Sequence, residues 1–255
     1  MFKHAIVKRP SKSMVKGITE ASLGKPIFEK AMQQHEKYVE ALKKCGLQVE
    51  ILPADETYPD SCFVEDAALV TRECAIITNL GAASRKGEEK SIQEALKKYY
   101  PEERILFIQP PGTIEGGDIM MVGDHFYIGL SDRTNVSGAE QMMNDLGKYG
   151  FTASTISMKA FLHLKTGSSY IENNNMLATG EFIKKPEFKK YHIIEVPPSE
   201  DYAANCIWIN NHVIVPAGYP ETERKIRELG YKVIPVEMSE FRKLDGGLSC
   251  LSLRF

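Results

Sequence analysis

EGGDIMMVGDHFYIGL, residues 115–130, predicts two strands, 117–122 and 125–130, joined by a tight turn at Gly123 and Asp124. Glycine and aspartate are residues that tight turns select. The pattern of an amphipathic helix follows, and then that of one more strand. This order of strand, strand, helix and strand is the unit from which the predicted fold is built.

The same unit recurs along the chain with a period of about 45 residues. It occupies residues 60–110, 115–158, 163–197 and 205–238. The other hairpins are predicted at 62–70 with 73–79, 168–173 with 175–180, and 205–209 with 212–216. Helices are predicted at 27–44, 85–99, 137–149 and 220–229, with a weak one near 186–190. The remaining strands are predicted at 4–9, 47–52, 104–109, 192–196 and 232–236.

The two ends of the chain supply a fifth unit. The N-terminal region provides strand, helix and strand, and CLSLRF, residues 250–255, adds one strand after a short helical patch at 239–244. A ring of five units, closed by pairing of the N- and C-terminal segments, leaves no open sheet edge. We therefore expect one α/β domain over residues 1–255. An open α/β sheet is the alternative, but the hairpins disfavour it because parallel strands need a crossover connection.

The composition indicates a folded protein with neither nucleic acid nor a membrane as its partner. Lys and Arg number 32 against 34 Asp and Glu, and no basic block is long enough to follow a phosphate backbone, so nucleic acid is not expected. No apolar stretch approaches the ~18 residues of a membrane span, and the start does not resemble a secretory signal, so we expect a cytoplasmic location. The five cysteines include no CxxC pair, which disfavours a disulfide scaffold or a zinc ribbon.

Residues 10–25, PSKSMVKGITEASLGK, match neither a helical nor a strand period. Loops of this length are uncommon in compact domains without a reason. A mobile lid and an inert surface loop are both open interpretations.

Three acidic segments could carry chemistry, since nucleotide, zinc-protease and serine-hydrolase signatures are absent. They are DSCFVED at 60–66, EGGD at 115–118 and DGGLSC at 245–250. Equivalent ends of units in a ring converge on its centre. We therefore expect an acidic cavity lined by Glu65, Asp66, Glu115, His163 and Cys250.

An acidic cavity requires a cation. Carboxylates suit a guanidinium, whose edges donate paired hydrogen bonds. A metal ion is the competing interpretation, but a thiol and an imidazole suit neither magnesium nor calcium, and zinc would lack a closely spaced ligand pair. No metal or other cofactor is expected. Cys62, inside the first acidic segment, is the rival thiol to Cys250.

These segments resemble, in order and over essentially the whole chain, the guanidine-modifying superfamily of five-bladed α/β propellers, and within it the dimethylarginine dimethylaminohydrolases. The matching segments are MFKHAIVKRP, LGKP, YPDSCFVED, EGGDIMMVGDHFYIG, RTN, HLKTG, YAANCIW, PAGYP and DGGLSCLSLRF. The resemblance implies a pseudo-fivefold α/β propeller of ββαβ units. It also implies hydrolysis of Nω,Nω-dimethyl-L-arginine, or of monomethylarginine, to L-citrulline and dimethylamine or methylamine, through a covalent thiouronium on cysteine.

The resemblance further implies the roles of individual residues. Cys250 matches the nucleophile, His163 the general acid and base, and Glu115 the carboxylate that binds the guanidinium. The implied substrate ligands are Glu65 and Asp66 for the guanidino nitrogens, Asp60 and the Ile18 carbonyl for the α-amino group, Arg85 and Arg133 for the carboxylate, and the Leu244 carbonyl. Phe63, next to the carboxylates, is the expected wall for the methyl groups.

Other members of the superfamily leave two alternatives. Arginine deiminases, which release ammonia, share most motifs, but they carry HxD where this chain has His163, Leu164 and Lys165, and they insert a helical domain for which 255 residues leave no room. A ribosome-binding factor of the same fold has no catalytic thiol, so a non-catalytic propeller is the second alternative. Assembly as a homodimer is left open.

Overall fold

The computed structural model describes residues 1–255, with fifteen strands and six α-helices. The strands are β1 His4–Lys8, β2 Gln48–Leu52, β3 Ala68–Val70, β4 Ala75–Ile77, β5 Ile105–Phe107, β6 Ile119–Val122, β7 His125–Leu130, β8 Thr152–Ser157, β9 Ser168–Tyr170, β10 Asn175–Ala178, β11 His192–Glu195, β12 Ile207–Ile209, β13 His212–Pro216, β14 Lys232–Val236 and β15 Leu253–Arg254. The helices are α1 Phe28–Lys44, α2 Glu89–Leu96, α3 Val136–Gly147, α4 Leu164–Gly167, α5 Pro220–Glu228 and α6 Ser239–Arg242.

The strands form five three-stranded sheets of one design. In four of them an antiparallel hairpin is followed by a third strand parallel to the second: β3-β4-β5, β6-β7-β8, β9-β10-β11 and β12-β13-β14. In the fifth, β15 pairs antiparallel with β1, and β2 pairs parallel with β1. The predicted pseudo-fivefold α/β architecture, with its paired N- and C-terminal segments, is confirmed.

The chain divides into two compact units. The first unit contains residues 1–63 and 167–255, and the second unit contains residues 64–166. Sheets β15-β1-β2, β9-β10-β11 and β12-β13-β14 belong to the first unit, and the other two sheets belong to the second. The expectation of one domain over residues 1–255 stays a prediction.

Helix α1 shows how sequence pattern becomes packing in the first unit. Its apolar face, with Tyr38 and Leu42 fully buried, lies in one core cluster with Ala5 and Val7 of β1. The helix ends where Gly46 adopts a φ of 90° and the Leu47 N–H donates to the Leu42 carbonyl, a C-terminal motif that favours glycine. The predicted start and end of this helix are confirmed to within one residue.

The predicted strand 62–70 is wrong over its first part. Residues Val64–Ala67 form a 3-10 turn in which all four residues are buried, whereas a strand would alternate. The turn is held because the carbonyls of Asp66 and Ala67 accept from the Thr78 hydroxyl at 2.6 Å and the Thr78 N–H at 3.1 Å. The strand begins only at Ala68.

None of the helices combines the length and the apolar character that crossing a bilayer requires.

His35 is a buried imidazole on the inner face of α1, with 2% of its surface exposed. Burial, and then the positive charge of Arg9, lower the pKa of His35 from 6.5 to about 4. An unfolded chain would bind a proton near pH 6.5, so acid favours the unfolded state through this residue.

We predict that His35 alone reduces the free energy of unfolding by up to about 3 kcal/mol as the pH falls from 6.5 toward 4. A His35→Leu variant lacks the titrating group, so its free energy of unfolding should fall less over this range than that of the wild type. Urea unfolding of both proteins at pH 7 and at about pH 5 measures the difference. An equal decrease in the free energy of unfolding in the two proteins would contradict a lowered pKa for His35.

Candidate active site

Two acidic segments of the second unit pack backbone against backbone. Val64–Ala67 and Gly116–Asp118 both form 3-10 turns. A Cβ on Gly116 would overlap the Glu65 carbonyl oxygen, and a Cβ on Gly117 would lie 2.6 Å from His163 Nδ1. Close approach therefore requires both glycines of EGGD, and it brings the two acidic segments and His163 into one cluster.

Glu115 holds the centre of this cluster with both carboxylate oxygens. Oε1 accepts the N–H groups of Gly81 and Ala82, each at 3.1 Å. Oε2 lies 2.9 Å from His163 Nε2. The side chain is 1% exposed, so the carboxylate is fixed in orientation and shielded from water.

His163 carries a proton at neutral pH. Burial by itself lowers its pKa, but the hydrogen bond with Glu115 and the negative charges of Asp118, Asp66 and Glu115 outweigh burial and raise the pKa to about 9. The imidazolium donates through Nε2 to Glu115. A histidine in this state is equipped to give a proton to a leaving group.

Asp66 is held as a carboxylate close to His163. Its Oδ1 accepts the Gly117 N–H at 2.9 Å, and its Oδ2 lies 2.6 Å from Arg85 Nη1. Burial raises the carboxyl pKa, but the charges of Arg85 and His163 together with these hydrogen bonds bring it below its ordinary value. Asp66 therefore stays negative over the working pH range.

Two cations balance the buried carboxylates. The guanidinium of Arg85, a residue that is 6% exposed, hydrogen-bonds to Asp66 and, through Nε and Nη2, to Glu88 at 3.1 and 2.9 Å. Lys165 Nζ lies 2.5 Å from Glu65 Oε1. The role of Lys165 could not be predicted from the sequence, because its partner Glu65 lies 100 residues away in the chain.

Arg133, the other predicted ligand of a substrate carboxylate, is half-buried. Its backbone carbonyl is so close to Gly81 that a Cβ at position 81 would lie 2.5 Å from the oxygen. The roles of Arg85 and Arg133 toward a substrate carboxylate stay predictions.

Asp118 is a positioning group that sequence reasoning missed. Its Oδ1 accepts the Leu164 N–H at 3.0 Å, directly after His163, and its Oδ2 accepts the hydroxyls of Ser131 and Thr134 at 2.7 and 2.6 Å. Burial raises the pKa of this carboxyl. Asp118 is the last residue of the EGGD motif. Its role could not be predicted because the three groups that donate to its carboxylate lie 13 to 46 residues away in sequence.

Ligand atoms of Asp66, Glu115 and His163 lie within 4.8 Å of one another, as a metal site would require. The atoms are engaged, however: His163 Nε2 with Glu115, and Asp66 with Arg85 and the Gly117 N–H. A protonated imidazole cannot ligate a metal through the nitrogen that carries its proton. The cluster therefore fits a network of paired charges better than a metal site.

In the first unit, Cys250 lies in the 3-10 turn Ser249–Leu251 and is partly exposed. Its Sγ accepts the Gly247 N–H at 3.4 Å. Asn205 holds the turn, because it accepts the Ser249 N–H at 2.9 Å and donates to the Ser249 hydroxyl at 3.0 Å. Asn205 is a second positioning residue that the sequence analysis did not identify.

The other four thiols are buried, and none of the five cysteines forms a disulfide. Cys62, the rival nucleophile, is 1% exposed. Burial raises the pKa of Cys45 to about 11 and also raises the pKa values of Cys74 and Cys206, so these three remain protonated. Accessibility thus favours Cys250.

The segment 17–20 of the long loop is anchored by two carboxylates of the first unit. The Asp60 oxygens lie 3.1 and 3.2 Å from the Ile18 nitrogen. Asp245 Oδ2 accepts the Thr19 hydroxyl at 3.0 Å and the Glu20 N–H at 2.7 Å. Both interpretations of this loop, lid and inert loop, remain predictions.

Phe63 and Leu244 belong to the same unit as this loop anchorage. The Phe63 ring packs edge-to-face on Phe241 at 6.2 Å and directly against the Gly246 backbone. A Cβ on Gly17 would lie 3.2 Å from the Leu244 side chain. Both residues are 5% exposed, and their contacts with substrate stay predictions.

The predicted site residues thus fall into two groups. The second unit brings together Glu65, Asp66, Arg85, Glu115 and His163, and Arg133 borders the donors of Glu115. The first unit contains the others, which are Ile18, Asp60, Phe63, Leu244 and Cys250. That Cys250 and His163 act on one substrate stays a prediction at this point.

The chain is similar to known proteins over nearly its whole length. Residues 19–251 match the family model described as N,N dimethylarginine dimethylhydrolase, eukaryotic. The chain is 55% identical, over all 255 residues and the full length of both chains, to N(G),N(G)-dimethylarginine dimethylaminohydrolase of Pseudomonas aeruginosa. It is 32% identical to the protein of that name from Streptomyces coelicolor, over 99% of this chain and 96% of the relative. A crystal structure of the Pseudomonas aeruginosa enzyme, a cysteine-to-serine mutant complexed with citrulline, matches all of both chains with a TM-score of 0.99.

We predict that Glu115→Gln lowers the pKa of His163 from about 9, because the variant loses the charge and weakens the hydrogen bond that oppose burial. The measurement is the imidazole titration followed by nuclear magnetic resonance of protein with labelled histidine. Glu140→Gln, which removes an exposed carboxylate on α3, serves as the control and should leave the titration unchanged. A His163 pKa that is the same in Glu115→Gln and wild type would contradict the assignment.

Proposed function

The chain belongs to the dimethylarginine dimethylaminohydrolase family, and we propose that it hydrolyses Nω,Nω-dimethyl-L-arginine to L-citrulline and dimethylamine. Monomethylarginine yields citrulline and methylamine in the same way. The enzyme is a hydrolase of linear amidines, and its substrate is a small molecule. The observation that carries the proposed mechanism is the 2.9 Å hydrogen bond between His163 Nε2 and the buried Glu115 carboxylate, which raises the pKa of His163 against the effect of burial.

The substrate is a flat cation, and buried carboxylates bind it. Asp66 and Glu65 accept hydrogen bonds from the guanidino nitrogens, and Glu115 adds negative charge. Asp60 and the Ile18 carbonyl bind the α-amino group, Arg85 and Arg133 bind the carboxylate, and the Leu244 carbonyl lines the site. Phe63 packs on the methyl groups. What supports these roles is the match of the surrounding motifs to the family together with the charges of the side chains.

The first half of the reaction forms a covalent adduct on Cys250. The thiolate attacks the central guanidinium carbon, and a tetrahedral intermediate results. His163 then gives its proton to the dimethylated nitrogen, the carbon–nitrogen bond breaks, and dimethylamine leaves. Carboxylates that hold the guanidino nitrogens orient the carbon toward sulfur.

The second half returns the enzyme to its starting state. His163, now neutral, takes a proton from water, and the hydroxide equivalent attacks the thiouronium carbon. The carbon–sulfur bond breaks, Cys250 leaves as thiolate, and citrulline is released. As the carbon–sulfur bond breaks, the hydroxyl proton of the tetrahedral intermediate passes to solvent, and the released dimethylamine takes up a proton to become dimethylammonium. His163 ends with the proton it began with, so atoms, charges and protons balance over the cycle.

The location and assembly of the protein are also proposals. Five cysteines without a disulfide support a reducing compartment, and therefore the cytoplasm. A homodimer is the proposed assembly, which light scattering of the purified protein would test.

We predict that wild-type protein releases citrulline and dimethylamine in equal amounts from dimethylarginine, and that Cys250→Ser releases neither, because an alcohol is a far weaker nucleophile at neutral pH. Cys45→Ser, which changes a thiol at the end of α1, is the matched control and should retain activity. Chromatography identifies the amine, and circular dichroism confirms that each variant is folded.

Dimethylarginine, monomethylarginine and arginine are assayed side by side in that experiment. Ammonia from arginine as the main product would instead support the deiminase alternative. Citrulline formation by folded Cys250→Ser at the wild-type rate would exclude the proposed nucleophile.

We predict that kcat/KM falls as the pH rises through about 9, because the imidazolium of His163 that protonates the departing amine is lost above its pKa. In Glu115→Gln the descending limb should move to lower pH. The measurement is initial rate against pH at low dimethylarginine concentration. If the fall in kcat/KM occurs at the same pH in Glu115→Gln and wild type, the titrating group is not His163.

A further inference from the structure

We propose that Tyr202 is a positioning residue for Cys250, and that it acts through the peptide group between Gly246 and Gly247. The Tyr202 hydroxyl donates to the Gly246 carbonyl at 2.7 Å. The Gly247 N–H, on the other end of the same peptide group, donates to Cys250 Sγ at 3.4 Å. The inference deepens the proposed function, since it rests on Cys250 as the nucleophile.

The chemistry of the peptide group connects the two hydrogen bonds. In a trans peptide the carbonyl and the N–H point in opposite directions and belong to one conjugated system. A donor on the carbonyl oxygen draws electron density from nitrogen, which makes the N–H a stronger donor. Tyr202 therefore strengthens the hydrogen bond that the sulfur receives, and a thiolate gains more from it than a thiol.

Packing leaves this peptide group no freedom to turn. A Cβ on Gly246 would lie 2.5 Å from Cζ of the Phe63 ring, and a Cβ on Gly247 would lie 2.5 Å from Cγ of Asn205. The Gly246 N–H is bound to the Phe241 carbonyl at 3.0 Å. The two glycines of DGGLSC thus let the Phe63 ring and the Asn205 side chain pack directly against the peptide that serves the sulfur.

The side chains of Arg242 and Tyr219 pack against the ring of Tyr202. The guanidinium carbon of Arg242 lies 4.9 Å from the centre of its ring, and the ring of Tyr219 lies 5.8 Å away. Arg242 Nη1 donates to the Tyr219 hydroxyl at 2.8 Å. Burial, and then the negative charge of Cys250, raise the pKa of the Tyr202 phenol, so it remains a donor. Tyr202, Arg242 and Tyr219 have no part in the mechanism described above.

The test compares Tyr202→Phe with Tyr219→Phe and wild type. The first variant removes the donor, and the second removes a neighbouring hydroxyl that is bound to Arg242. The readout is the rate constant for alkylation of Cys250 by iodoacetamide at neutral pH without substrate, followed by mass spectrometry of the Cys250 peptide. We expect Tyr202→Phe to slow alkylation by about three- to tenfold and Tyr219→Phe to match wild type.

The steady-state constants kcat and KM separate an effect of Tyr202 on the sulfur from a general effect on the structure. In Tyr202→Phe, kcat for dimethylarginine should fall by about the same factor as alkylation, while KM stays near its wild-type value. A folded Tyr202→Phe protein that alkylates at the wild-type rate overturns the inference. If this variant does not fold, 3-fluorotyrosine at position 202 decides, because it is a stronger donor of nearly the same shape. Faster alkylation then supports the inference, and an unchanged rate overturns it.

The two proposals can fail separately. If the wild type does not release citrulline but Tyr202→Phe still slows alkylation, the proposed function is wrong and the role of Tyr202 stands. If the wild type hydrolyses dimethylarginine and Tyr202→Phe changes neither alkylation nor kcat, only the role of Tyr202 is wrong.

Discussion

The hydrogen bond between His163 and Glu115 is the interaction on which the second unit depends. A buried histidine would ordinarily be neutral, and only the surrounding carboxylates raise its pKa to about 9. The backbone is arranged to keep them there: Gly81 and Ala82 hold one oxygen of Glu115, and Gly117 leaves room for the imidazole. Burying this much charge is tolerable because each carboxylate has a cation or a hydrogen-bond donor.

The first unit contains four of the five cysteines, and Cys250 is the one among them that is partly exposed. Cys250 sits in a turn whose shape comes from side chains distant in sequence. Asn205 binds Ser249, and Tyr38 donates to the Leu248 carbonyl at 2.9 Å. A short turn held in this way keeps the sulfur in one position without placing it deep in the core. Tyr202 adds to this arrangement an effect on the chemistry of the sulfur itself.

The sequence predicted the repeat, because its signals are local. Asn210 and Asn211, which adopt left-handed conformations, form the turn between two adjacent strands. The apolar periodicity that predicts α1 is likewise contained within 17 consecutive residues. The turn at Val64–Ala67 could not be read in this way, since it is held by Thr78, 12 residues after Asp66, and packs against Gly116 of a distant segment. Glu115 and His163 were identified as site residues from motifs, but their pairing, the cations beside them and the roles of Asp118 and Asn205 arise only when distant segments pack.

In the proposed mechanism, His163 supplies the proton for the departing amine and later activates water. Both roles can be tested by the intact mass of a His163→Gln variant mixed with either dimethylarginine or S-methyl-L-thiocitrulline, an analogue that releases methanethiol. A thiolate leaves without prior protonation, so the account predicts that the analogue gives a Cys250 adduct that accumulates, while dimethylarginine gives neither adduct nor citrulline. Turnover of dimethylarginine by this variant at the wild-type rate would contradict the account.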